Sequence, residues 1–124
     1  MGVQVLIVDD SGVMRKMVSR ALRQAGLDIA DIHEAGNGVE GMAALESKSI
    51  DIVLCDWNMP EMDGITFLKE ARKTYKTPFI MLTTEGTDDK VAEAMGAGAQ
   101  GYVTKPFTPD KLGERVTVAL EQAA

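Results

Sequence analysis

The chain has 124 residues, room for one domain and one hydrophobic core. With 13 basic against 19 acidic residues its formal charge is −6, which argues against a surface that wraps nucleic acid or docks on anionic lipid. A single cysteine, Cys55, rules out an intramolecular disulfide framework and predicts a cytoplasmic home, and no apolar run forms a signal peptide or approaches the ~18 residues of a membrane span.

Val5-Leu6-Ile7-Val8 is a continuous apolar run, the pattern of a strand buried on both faces, and it ends in Asp9-Asp10. Val13, Met17, Ala21 and Leu22 then mark one face of a first helix that stops near Gly26. The stretch Ile29 to Glu34 mixes charged with apolar residues, as a sheet edge does, and a helix with Val39, Met42 and Leu45 follows. Ile52-Val53-Leu54-Cys55 is a second buried strand ending at Asp56. The turn Pro60-Glu61-Met62-Asp63-Gly64 leads into a helix with Phe67, Leu68 and Ala71. Phe79-Ile80-Met81-Leu82 ends at Thr83, and Val91, Ala94, Met95 and Gly98 give the next helical face. Tyr102-Val103-Thr104 is a short last strand, followed by Lys105. Thr108 as N-cap and Pro109 in the first turn open a final helix with Leu112, Val116, Ala119 and Leu120.

Five β-α repeats without a linker predict a single α/β domain over 1–124, a doubly wound five-stranded parallel sheet with helices on both faces. A closed eight-fold barrel would need about twice the length. In open sheets of this kind ligands bind beyond the carboxyl ends of the strands. There the order of elements brings together Asp9, Asp10, Asp56, Thr83 and Lys105. Two like charges ~4 Å apart repel by about 4 kcal/mol at an effective dielectric near about 20, so three gathered carboxylates require a cation or a proton. Lys105 supplies one positive charge, and a hard divalent ion, Mg²⁺ or Mn²⁺, suits all-oxygen ligation better than zinc.

No histidine–cysteine cluster competes. His33 is the only histidine and reads as a bystander on the edge strand, and Cys55 alternates away from Asp56. There is no serine–histidine–acid triad, and Asp9-Asp10-Ser11-Gly12 lacks the spaced glycines of a dinucleotide site. A carboxylate beside a metal, a lysine and a hydroxyl suits phosphoryl transfer, with aspartate as the nucleophile that becomes an acyl phosphate.

Asp9-Asp10, the run Asp56-Trp57-Asn58-Met59-Pro60 with Asp63-Gly64, Thr83, and Gly101-Tyr102-Val103-Thr104-Lys105-Pro106-Phe107 stand in order along the whole chain. Together they resemble the response-regulator receiver family, and within it the single-domain chemotaxis regulators. The resemblance implies a flavodoxin-like strand order 2-1-3-4-5. It implies that Asp56 accepts a phosphoryl group from the phosphohistidine of a chemotaxis-type sensor kinase. Asp10, Asp56 and the backbone carbonyl of Asn58 would hold Mg²⁺, with Asp9 acting through a water. Lys105 would contact the phosphoryl oxygens and precede a cis peptide to Pro106. Thr83 would move to the phosphoryl group while Tyr102 turns inward, reshaping the face of the fourth helix, fifth strand and fifth helix. Asn58 and Glu85 occupy the positions that tune hydrolysis of the acyl phosphate. Trp57 packs beside the site, and Thr84 stands where the family usually has a smaller residue, narrowing the path to Asp56.

The resemblance further implies a monomeric signalling switch rather than an enzyme, with the flagellar motor switch as target and a phosphatase that clears the signal. The chain stops after its last helix, so output by protein binding is expected. A phosphate sink, a relay receiver, or a receiver excised from a larger regulator would read the same way. An aspartate-nucleophile phosphatase of the haloacid-dehalogenase type would place Asp-x-Asp after the first strand and add a cap, neither of which fits. A flavodoxin-like flavin carrier would need a phosphate loop where the two acids stand.

Overall fold

The computed structural model describes residues 2–84 and 86–123. The elements are β1 (Val3–Val8), α1 (Gly12–Gln24), β2 (Ile29–Ala35), α2 (Gly38–Ser47), β3 (Ile52–Asp56), α3 (Gly64–Arg72), β4 (Phe79–Thr83), α4 (Asp88–Gly96), β5 (Gly101–Thr104) and α5 (Pro109–Ala123). They form one parallel sheet of order β2-β1-β3-β4-β5. The order reverses beside β1, which creates a crevice at the carboxyl ends of β1 and β3.

The continuous apolar runs follow from burial on both faces. Alternate residues feed two cores: Leu6, Val8, Val53, Cys55, Phe79 and Met81 on one side, Val5, Ile7, Ile52, Leu54, Ile80 and Leu82 on the other. Phe67, Leu68 and Ala71 of α3 close the first core, while Val18 and Leu22 of α1 and Leu112 and Val116 of α5 close the second. β2 shows the mixed burial of an edge strand. The helices start at side-chain caps: Ser11 accepts from Met14 N–H, Asn37 from Glu40, Asp63 from Thr66, Thr87 from Lys90 and Thr108 from Lys111. Each such cap contributes about 1 kcal/mol.

Three helical faces differ from the sequence reading. Val13 and Met17 are 71% and 51% exposed, and α1 instead buries Val18, Ala21 and Leu22. The stripe at 14, 18, 21 and 22 has the 3.6-residue period, and 13 and 17 lie on its flank. Val39 and Met95 are also exposed. Gly98 lies beyond the end of α4, at φ +107°, in the left-handed turn that glycine adopts at little cost.

Arg72, at the end of α3, ties the opposite end of the sheet together. Its guanidinium donates to the carbonyls of Gly98 (2.8 and 3.1 Å), Thr77 (2.7 Å) and Tyr75 (3.3 Å) and to Gln100 Oε1 (2.8 Å). It also stacks over the Phe79 ring at 5.2 Å. Burial lowers its pKa from the usual arginine value.

Candidate functional site

The parallel register delivers the polar residues to one edge. Asp9 follows β1, Asp56 and Thr83 are the last residues of β3 and β4, and Lys105 follows β5. All of β3 and β4 is buried, so Asp56 and Thr83 are polar ends of otherwise apolar strands. α3 begins tightly against this edge: a Cβ at Gly64 would collide with the Asp56 carbonyl, so only glycine fits there.

One carboxylate oxygen from each of Asp9, Asp10 and Asp56 can be chosen so that all lie within 4.8 Å of one another. Asp9 is 1% exposed and Asp56 9%, whereas Asp10 faces solvent. Lys105 Nζ lies between the two buried acids, 3.2 Å from Asp9 Oδ2 and 3.1 Å from Asp56 Oδ1. Ser11 N–H donates to Asp9 Oδ1 at 2.9 Å, and Trp57 N–H donates to Asp56 Oδ1 at 2.9 Å. Both hydrogen bonds to Asp56 therefore fall on Oδ1, and Oδ2 accepts none from the described residues.

Three carboxylates and one ammonium leave an excess of two negative charges, the deficit a divalent cation fills. The donor set is oxygen throughout and partly open to solvent on the Asp10 side, which fits Mg²⁺ or Mn²⁺. Burial pushes the Asp56 carboxyl above its ordinary pKa, and Lys105, by hydrogen bond and charge, works against that rise. Burial works to lower the Lys105 pKa, but Asp56 and Asp9 outweigh it and hold the amine above its ordinary value. Burial, followed by the charge of Asp56, raises Cys55 well above a normal thiol. Its S–H points to the Asp56 carbonyl at 3.2 Å, so it is an inert core residue.

The remaining predicted residues divide. Thr83 is 4% exposed at the end of β4, Tyr102 is half-buried on β5, and Asn58 is exposed in the β3–α3 loop. The Lys105–Pro106 peptide is cis. Glu85 lies outside the described residues. His33 is engaged with Gln4 Oε1 at 2.9 Å, away from the cluster.

Two residues that sequence reasoning passed over also act here. Arg15 donates through Nη1 to the Asp9 carbonyl and pairs through Nε with Glu34 at 2.8 Å, bracing the β1 end. Lys90 of α4 lays its ammonium 4.6 Å from the centre of the Trp57 ring. Neither has a motif; Lys90 was recognisable only as the lone cation after Asp88 and Asp89. Beside Lys105 a cleft of about 320 Å³ is lined by Met14, Met17, Thr84, Pro106 and Phe107.

Comparison with known proteins adds relatives to this geometry. The profile of the response regulator receiver domain matches residues 5–117. The chemotaxis protein CheY1 of Helicobacter pylori is 39% identical over 121 residues, 94% of this chain and 96% of that protein. The chemotaxis protein CheY homolog of Campylobacter jejuni is 41% identical over 117 residues, 91% of this chain and 88% of that protein. Among solved structures, the chemotaxis response regulator CheY4 of Vibrio cholerae superposes with a TM-score of 0.85 at 38% identity, covering 96% of this chain and 99% of that one. The receiver domain of the Francisella response regulator 1452 gives a TM-score of 0.88 at 29% identity, covering 99% and 100%. Among the described residues no helix is long and apolar enough to cross a membrane.

Proposed function

This chain belongs to the response regulator receiver family, and from that membership we propose that it is a cytoplasmic signalling switch phosphorylated on Asp56. The observation that carries the reading is the buried Asp56 carboxylate, with both hydrogen bonds on Oδ1 and Oδ2 left for a bond to phosphorus. Asp56 Oδ2 attacks the phosphorus of a phosphohistidine on a chemotaxis-type kinase. The new O–P bond forms as the P–N bond breaks, and the leaving imidazole keeps the electron pair and takes a proton from solvent. Lys105, already 3.1 Å from Asp56, binds the transferring oxygens, and its elevated pKa keeps it charged throughout. Asp10, Asp56 and the Asn58 carbonyl, with Asp9 through a water, would hold Mg²⁺, which would supply additional positive charge beside the transferring oxygens.

The apolar cleft of Met14, Met17, Pro106 and Phe107 beside Lys105 offers the donor protein a landing surface next to the nucleophile. Thr83 and the half-buried Tyr102 carry the change to the α4–β5–α5 face. Asn58 and Glu85 orient the water that hydrolyses the acyl phosphate, and an external phosphatase speeds that step. The chain acts as a monomeric switch rather than a turnover enzyme. The names of the curated relatives favour chemotaxis, hence a flagellar motor switch as the target.

The test is transfer of labelled phosphate from a chemotaxis kinase, with Mg²⁺ titration of Trp57 emission followed by beryllofluoride. Label should appear on the wild type and not on Asp56→Asn, and the beryllofluoride change in emission should vanish in that variant. Label on Asp56→Asn would refute the assignment. Phosphorylation without gain of binding to a motor switch protein would make the chain a phosphate sink.

A further inference from the structure

Helix α4 is the most weakly anchored of the five. Of its nine residues only Ala94 is buried, whereas every other helix buries at least three. Its Thr87 cap is long, at 3.4 Å to Lys90 N. Its first turn carries Asp88 and Asp89, two negative charges on a chain whose acidic cluster is already short of positive charge. Lys90 is the one cation on the helix, and its ammonium sits 4.6 Å from the Trp57 ring centre.

Trp57 is itself fastened to the reacting carboxylate. Its N–H donates to Asp56 Oδ1 at 2.9 Å and lies 3.3 Å from the Leu82 carbonyl, and its own carbonyl accepts from Gly64 N–H at 2.8 Å. Trp57 as a whole is 5% exposed. The Lys90 side chain thus links the N-terminal turn of α4 to the residue next to Asp56.

We propose that Lys90 is a positioning residue: seated on Trp57, it latches the N-terminal turn of α4 to β3 in the unmodified protein, and added negative charge at Asp56 releases that latch. The inference rests on Asp56 being the phosphoacceptor. Phosphorylation replaces one negative charge by about −1.5 to −2. A ring quadrupole holds an ammonium weakly and at short range, whereas an anion attracts it over a longer distance. The ammonium therefore leaves the ring, and the same anion repels Asp88 and Asp89. Both forces act on a helix that has little else to hold it, so α4 shifts.

The experiment measures amide hydrogen exchange of α4 together with Trp57 emission in the wild type, Lys90→Met, Lys90→Arg and Asp56→Asn, each with Mg²⁺ and with or without beryllofluoride. In the wild type, beryllofluoride should lower α4 protection. In Lys90→Met, α4 should exchange about two- to five-fold faster without the analogue, the range of a cation–π contact near the surface, and change little when it is added. Trp57 emission should shift in the same variant. Lys90→Arg should behave as wild type, because a guanidinium also stacks on an aromatic face. Wild-type protection of α4 in Lys90→Met, or a full analogue response in it, overturns the latch. A response in Asp56→Asn equal to wild type would instead overturn the phosphoacceptor reading, and the comparison without analogue would still report on the latch alone.

Discussion

Lys105→Met keeps most of the side chain's volume and removes the ammonium shared by Asp9, at 3.2 Å, and Asp56, at 3.1 Å. Each contact is worth about 5 kcal/mol of Coulomb energy at an effective dielectric of about 20. Desolvating the ammonium offsets part of that sum, and the expected net loss is about 3–5 kcal/mol, as when one partner of a buried pair is removed. For a chain of this length that lowers Tm by roughly 10–20 °C. The deficit has a pH signature. Asp56 already sits above its ordinary pKa through burial, and without Lys105 it rises further, so the folded variant takes up a proton more readily than the unfolded chain. Its deficit should shrink as pH falls from about 7 toward about 4. Mg²⁺ should stabilise the variant more than the wild type. The contribution of Lys105 itself is complete below its unfolded value of ~10.4 and is lost only as pH rises through the higher native value. Urea denaturation followed by Trp57 emission and far-UV circular dichroism, at acidic and neutral pH with and without Mg²⁺, measures all of this. A loss below about 1 kcal/mol, or one that neither acid nor Mg²⁺ relieves, would refute the charge argument.

Asp56→Asn should raise Tm by a few degrees at neutral pH in the absence of metal, because it removes a carboxylate that burial disfavours while its amide oxygen still accepts from Lys105. The gain should fade as pH drops through the raised native pKa of Asp56 toward its unfolded value of ~3.9, which a pH series of thermal melts would follow. Arg72→Met should cost about 2–4 kcal/mol in chemical denaturation, since it strips the donors from the Gly98 and Thr77 carbonyls and from Gln100. Its phosphorylation rate should stay near wild type, as Arg72 lies at the far end of the sheet. Thr84→Ala, at the rim of the cleft beside Lys105, should speed phosphorylation by acetyl phosphate several-fold, and unchanged rates in a stopped-flow assay would remove the steric explanation.

The elements of this protein were readable in the linear chain because burial imposes composition. β3 and β4 lie inside two helical layers, so they must be apolar throughout, and Asp56 and Thr83 stand out as polar residues where those runs end. The cap Thr108 is equally local, satisfying an amide three residues ahead, and the structure adds Ser11, Asn37, Asp63 and Thr87 in the same role. The acidic cluster follows from the same logic, since the β-α order alone sends every strand's carboxyl end to one edge.

What the chain order could not decide is which flank of a helix turns inward and which distant side chains meet. Val13 and Met17 share an apolar spacing with Ala21, yet they face solvent because the neighbouring sheet and α5 settle the rotation of α1. The guanidinium of Arg72 reaches Gly98, 26 residues away, and Lys90 reaches Trp57 with α3 and β4 between them in the chain, contacts that carry no local motif. Propensity and hydrophobic period act over a few residues and therefore determined the strands, the helices and the polar strand ends. Charge pairing and ring contacts depend on separation in space, so only the closed fold decided that Lys105 bridges Asp9 and Asp56 and that α4 is held by so little.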